Sequence, residues 1–214
     1  MKKIMMIAAM MVATLTASAQ KSVIEPGSFG LQPKVGFVLS EISDKEAKFK
    51  PGIVAGIEGQ YQINNWFGLS AAALYTQEGS KIKNSNGKYN LEYINIPVMA
   101  KFYVAKGLSL NAGLQVGFMT KAKLKGDGMN VDIKSICNKT DFSIPLSIAY
   151  EFENGLSFEA RYTGGLTNVI KESAIKEAYS DPNNREPHAP WDYDIEKDNK
   201  NEVFMLTVGY KFEL

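Results

Sequence analysis

The strongest constraint on this chain is an alternation of apolar with small or polar residues at a period of two, which places successive side chains on opposite faces of a β-strand. In the stretch 108–118 the even positions are Leu108, Leu110, Ala112, Leu114, Val116 and Phe118, while the odd ones are Ser109, Asn111, Gly113, Gln115 and Gly117. The same split recurs where Phe142, Ile144, Leu146, Ile148, Tyr150 and Phe152 oppose Asp141, Ser143, Pro145, Ser147, Ala149 and Glu151. It recurs at the C-terminus, where Phe204, Leu206, Val208, Tyr210, Phe212 and Leu214 oppose Val203, Met205, Thr207, Gly209, Lys211 and Glu213. Eight such runs are found, at about Phe29–Leu39, Gly52–Tyr61, Trp66–Thr76, Glu92–Val104, Leu108–Met119, Asp141–Phe152, Leu156–Leu166 and Glu202–Leu214. Most have 10 to 13 residues. Strands of soluble sheets more often have about 5–6, whereas a membrane-crossing strand tilted by about 45° needs about 9–11.

The connections carry a second signal. The gaps 62–65, 105–107 and 153–155 are short, and the gaps 40–51, 77–91, 120–140 and 167–201 are long. Strict alternation of short turns with long loops is the pattern of outer-membrane barrels, whose short turns are periplasmic. It predicts an all-β, eight-stranded antiparallel up-and-down transmembrane β-barrel with both mature termini in the periplasm.

Face assignment separates this fold from a soluble barrel. With the apolar set facing lipid, the lumen receives Lys34, Gly36, Gly56, Glu58, Gln60, Ser70, Asn95, Lys101, Asn111, Gln115, Ser147, Glu159, Arg161, Thr163 and Lys211. With the apolar set inside, five or six large groups per strand would crowd an eight-stranded interior. The aromatics point the same way: Tyr61, Trp66, Phe67, Phe102, Tyr103, Phe152 and Phe212 lie near the short turns, and Tyr75, Tyr93, Phe118, Phe142 and Phe204 near the long loops. Two bands match the girdles of a membrane barrel. Pro33, Pro97 and Pro145 fall inside strands, where each lacks an N–H for the ladder, so bulges or local water are expected there.

The N-terminus reads as a secretory signal peptide over residues 1–19: Lys2 and Lys3, an apolar run from Ile4 to Ala13 too short to span a membrane, then Ala17-Ser18-Ala19. Residues 20–214 form the predicted barrel. Mean hydropathy of −0.17 and a near-balance of 24 Lys+Arg against 23 Asp+Glu describe an ordinary soluble protein on average, because strands that bury one face in lipid and the other in a polar lumen cancel in the mean. The charge balance speaks against nucleic acid as a partner. Cys137 is the only cysteine, so no disulfide forms within the chain, and it reads as a half-buried or loop thiol.

Residues 91–104, LEYINIPVMAKFYV, followed by Lys106-Gly107, resemble the Tyr-hydrophobe-x-Ile-Pro-hydrophobe-x-x-Lys-Tyr signature of the PorT-like outer-membrane β-barrel family. GLQPKVGFVLS in strand 1, the hairpin from Pro51 to Ser80 and RYTGGLTNV at the end of strand 7 agree with it. The resemblance covers nearly all of the mature chain and implies an eight-stranded barrel in a Gram-negative outer membrane. The family's namesake is linked to secretion of cargo across that membrane, and no catalytic residue travels with the signature.

Chemistry concentrates at two places. Lys34, Glu58, Lys101, Glu159, Arg161 and Lys211 are expected to form a lumen charge cluster, as an ion or proton path or as a salt-bridged plug; eight strands leave room only for side chains, which favours the plug. The 35-residue segment Thr167–Asn201 is the longest connection. It includes a possible short helix with Ile170, Ala174, Ile175 and Ala178 on one side, alternating acids at Asp192, Asp194, Glu196 and Asp198 that lack a calcium-loop pattern, and Trp191 with Tyr193 as a possible contact surface. His188, the only histidine, stands between Pro187 and Pro190 with no Ser/Asp spacing of a hydrolase. No catalytic, cofactor or metal site is expected. The expected role is a non-enzymatic integral outer-membrane barrel with structural or partner-binding loops, surrounded by outer-membrane lipid and in contact with envelope or secretion proteins. The alternatives are an accessory component of a secretion system and, less favoured, a small lipid-modifying enzyme.

Overall fold

A computed structural model describes residues 25–43, 47–82, 87–126, 129–171 and 199–214. The predicted signal peptide lies outside them, as do His188, Trp191, Tyr193, the acids Asp192 to Asp198, and the predicted helix beyond Lys171. The strands are β1 (Phe29–Ile42), β2 (Ala47–Asn64), β3 (Phe67–Ile82), β4 (Lys88–Ala105), β5 (Leu108–Gly126), β6 (Met129–Asp132), β7 (Thr140–Glu151), β8 (Leu156–Asn168), β9 (Lys200–Tyr210) and β10 (Phe212–Glu213). Every pairing is antiparallel, neighbours in space are neighbours in sequence, and β1 closes the sheet on both β9 and β10. Eight strands make the wall, since β9 and β10 are one strand broken at Lys211 and β6 folds back on the tip of β5.

The registers fix the shape. Phe29 pairs with Tyr61, Tyr61 with Leu69, Leu69 with Ala100, Ala100 with Ala112, Ala112 with Leu146, Leu146 with Tyr162, Tyr162 with Phe204, and Phe204 with Leu39. One circuit therefore returns to β1 ten residues further along, a stagger that requires strands tilted by about 35–45°. Because ten is even, a side chain that starts outward ends outward. Phe29–Leu39 spans about 33 Å along the strand at about 3.3 Å per residue, hence about 25 Å along the barrel axis, the height of a membrane barrel's apolar band.

Short connections cluster at one end and follow from their residues. Asn64 Oδ1 accepts the N–H groups of Trp66 and Phe67 at 3.0 and 2.9 Å, and Gly107 and Gly155 supply the positive φ of +74° and +86° that their turns require. At the other end the strands run further than the hydropathy pattern. The predicted loops 40–51 and 77–91 are mostly strand, and 120–140 contains the end of β5 and all of β6. There the outward face turns polar at Lys48, Lys81, Lys88, Lys121 and Lys125 while Ile42, Leu91, Ala122 and Leu124 face inward, so the apolar-outward pattern ends while the backbone ladder continues.

The three strand prolines cause no bulge. Pro33 pairs with Ile57, Pro97 with Gln115 and Pro145 with Thr163. On the opposite side of each, two pairings are missing without any change of register: between Leu31 and Lys34 toward the C-terminal strand, between Ala71 and Leu74 toward β4, and between Ala112 and Gln115 toward β7. The interruption is one-sided because a strand residue donates its N–H to one neighbour only. Pro33 thus accounts for the division of the last strand at Lys211.

The interior divides into two halves. Toward the short turns it is polar and charged; toward the long connections Val38, Val54, Ala72, Leu74, Val203 and Met205 form an apolar cluster beside the buried Thr76, Glu78, Asn95, Gln115 and Asp141, a correction to the polar lumen expected. Above it Ile42, Leu91, Tyr93, Met119, Ala122 and Leu124 pack with Ile133, Cys137 and Val169 of the overlying segments. Hydrogen bonds from Ile133 N to Ala122 O (3.0 Å), Asn138 N to Val169 O (2.8 Å) and Lys171 N to Ile136 O (2.9 Å) hold this cap across the mouth. Cys137 lies in the connection between β6 and β7, as the loop reading expects, and is fully buried there, deeper than the half-buried alternative.

Candidate functional site: a buried ion network in the lumen

Strand parity carries the site. Lys34 on β1, Glu58 on β2, Lys101 on β4, Glu159 and Arg161 on β8, and Lys211 between β9 and β10 all face inward and are buried. Glu151, at the end of β7, joins them; it stood on the polar face of its run, and alternation alone could have placed it in the lumen. Lys34 Nζ donates to Glu58 Oε2 at 2.7 Å and to Glu159 Oε2 at 2.8 Å. Arg161 donates from Nε to Glu159 Oε1 at 3.0 Å, and its Nη2 lies 2.9 Å from that oxygen and 3.7 Å from Glu58 Oε2. Lys101 Nζ donates to Glu151 Oε1 at 2.7 Å and to Gln60 Oε1 at 2.6 Å, and lies 3.5 Å from Glu58 Oε1. Lys211 Nζ lies 3.6 Å from Glu151 Oε2. Glu58 is therefore the hinge of the network, within reach of three cations.

Tyr103 completes it: its hydroxyl accepts from Gln60 Nε2 at 2.6 Å and reaches Glu151 Oε2 at 3.2 Å. Tyr103 and Tyr93 are thus lumen residues, 8% and 1% exposed, and not members of the aromatic bands. Toward the long connections Phe118, Phe142 and Phe204 are exposed on the outer wall, and the short-turn band is clustered. Trp66, Phe67 and Phe102 cluster with centroids 5.1–6.5 Å apart, Trp66 stacked on Phe102, and Tyr150, Phe152 and Phe158 meet edge to face at 4.7 and 6.0 Å.

Chemically, each carboxylate in the network meets at least two cations, and the charged side chains are 2–6% exposed. An aqueous channel at this level would leave them solvated. The geometry is that of a locked plug. Toward the mouth, a separate polar set has Glu78 Oε1 accepting from Thr76 Oγ1 (2.6 Å) and Asn95 Nδ2 (2.9 Å). Among the described residues no group of three or more His, Cys, Asp or Glu is placed to hold a metal ion.

Comparison with known proteins bears on the fold and the family. The profile of the family described as "Outer membrane protein beta-barrel domain" matches residues 18–171. No curated protein sequence matches the chain. Among solved structures it is similar to Neisserial surface protein A, at 14% identity and TM-score 0.52 over 86% of this chain and 97% of that one. It is also similar to Ail, the attachment invasion locus protein of Yersinia pestis, at 16% identity and TM-score 0.49 over 88% and 100% of the two chains. OprG from Pseudomonas aeruginosa is 15% identical with TM-score 0.42 over 88% and 97%. At these identities the likeness is one of fold.

Proposed function

The chain belongs to the outer membrane protein β-barrel domain family, and from that premise we propose that it is a non-enzymatic, non-conducting barrel anchored in outer-membrane lipid, whose loop end meets envelope or secretion partners. Its signal peptide is removed, its short turns and termini lie in the periplasm, and the long connections face outward. The observation that carries this reading is the lumen: among the described residues a cross-section of mutually paired, buried charges lies beneath a packed cap, a filled interior that favours a plug over a solvated path. Surface then does the work, and the loop carrying Trp191 and Tyr193 is the first candidate for contact. The test is recovery in the outer-membrane fraction with heat-modifiable migration, followed by identification of proteins that co-purify with the barrel. Soluble recovery from the periplasm would remove the proposal.

A second reading, an accessory role in secretion, rests on the PorT-like signature of β4. Of that signature, Tyr93, Asn95 and Lys101 face inward and are buried, which is what a fold-determining motif does. Deleting the gene leaves cargo stranded in the periplasm if the secretion role holds, and unchanged export would exclude it.

A further inference from the structure

Above the apolar band, the outer wall of β2 to β5 carries a row of lysines that local stability does not explain. Lys48 pairs with Lys81, Lys81 with Lys88, and Lys88 with Lys125. All four are exposed and share one face, on four adjacent strands spaced about 4.8 Å apart. Like charges directly opposite one another destabilise a sheet, and here four stand in line. Below them on the same face are Lys123 and Lys121. Among the described residues two acids share this wall: Glu92, ion-paired with Lys121 at 3.0 Å, and Asp132, in register with Lys123. Among the described residues no carboxylate is ion-paired with the row of four.

We propose that this row is a binding site for the anionic headgroup of outer-leaflet glycolipid, the phosphates and acidic sugars of lipopolysaccharide. Direction and height select that ligand. The lysines point sideways from the wall, toward neighbouring lipid, and not over the mouth. Lys81 stands six residues beyond Tyr75 of the upper aromatic band, about 15 Å along the axis at the barrel's tilt, with Lys121 and Lys123 at intermediate levels on β5. The column spans the depth at which a glycolipid carries its anions, immediately above the acyl chains. Several point charges in a row suit several phosphates or carboxylates at once. The inference rests on the proposed orientation, with the long connections facing outward.

The experiment uses the full mature barrel purified in neutral detergent. Purified lipopolysaccharide is titrated against the native protein and a K48Q/K81Q/K88Q/K125Q variant, with dephosphorylated lipopolysaccharide and inorganic polyphosphate as further probes. Neutralising the row weakens lipopolysaccharide binding by roughly two to three orders of magnitude, while heat-modifiable migration persists and the unfolding midpoint in lipid-free detergent stays level or rises, because repulsion has been removed. The corresponding arginine variant retains binding. Equal affinity of native and glutamine forms overturns the site, and polyphosphate binding as tight as lipopolysaccharide overturns the choice of ligand. An impermeant maleimide applied to intact cells carrying Lys81→Cys separates the two failures. Labelling with no effect of the glutamine variant defeats this inference alone, whereas absence of labelling with periplasmic exposure defeats the orientation as well.

Discussion

Glu58 is the lumen residue whose loss costs most, because Lys34, Lys101 and Arg161 all lie within 3.7 Å of its carboxylate oxygens. Glu58→Gln leaves buried positive charge uncompensated and lowers unfolding stability by about 3–5 kcal/mol, read from urea titrations of the folded barrel in detergent. Adding Lys101→Met recovers part of that loss, since the partner charge goes too; a fully additive double mutant would show that the two groups are not coupled. Glycine acts here through close approach: a Cβ on Gly113 would stand 2.0 Å from Val98 O, so Gly113→Ala forces β4 and β5 apart and lowers the same midpoint. Burial pushes the Cys137 thiol up to about 11 from an ordinary value near 9. Both folded and unfolded forms hold the proton below about pH 9, so this residue leaves stability constant there; between pH 9 and 11 only the unfolded chain ionises, and stability falls. Cys137→Ser flattens that alkaline slope in unfolding curves taken from pH 8 to 11. Strand parity places all seven network charges inward, Glu151 included, although only the other six are expected in the cluster. Tyr93 and Tyr103 lie on the inward parity of β4 with Asn95 and Lys101, yet as aromatics near strand ends they also fit a girdle; here parity is the stronger signal, because one-residue alternation is enforced by the backbone and girdles are only a preference.

At the scale of elements, the ladder and the lipid impose separate limits, and hydropathy reports only the second. The eight runs mark where strands cross the apolar band, but β2 to β5 continue beyond it with lysines outward and residues such as Leu91, Ala122 and Leu124 inward, which ends the apolar-outward pattern without ending the strand. Pairing that joins residues far apart in sequence, such as β1 with β9, has no local signature and is inferred from closure. The cap is illegible for the same reason: Ile133 and Cys137 lie in a stretch with no period, and their burial depends on contacts with Ala122 and Val169. Its side-chain packing is one apolar cluster beside the backbone hydrogen bonds across the mouth, and a charge buried in that cluster by Ile133→Asp lifts the cap and brings Cys137 to solvent. Maleimide labelling of native protein at neutral pH, slow in the parent chain, then becomes fast; unchanged labelling would show that the cap does not depend on this packing. Prolines in register with one-sided gaps weaken the ladder locally without moving it. Amides near Ala72 and Ala73, opposite the Pro97 gap, therefore exchange hydrogen faster than those of the β4–β5 ladder.

For the whole molecule, closure and filling decide function together. A stagger of ten residues on eight strands makes a narrow cylinder, and the described residues fill it with a charged layer below and a mixed apolar and polar layer above. Averages over the chain hide this, since the lipid face and the lumen offset each other; resolved by position, the same residues divide into a band about 25 Å tall and an ion-paired core. The most direct test is electrical: the purified, folded barrel is reconstituted into planar lipid bilayers and its current is recorded at moderate voltage and high salt. A plugged lumen predicts no sustained conductance steps from the native protein. Stable, long-lived open-channel steps from correctly folded barrels would contradict it.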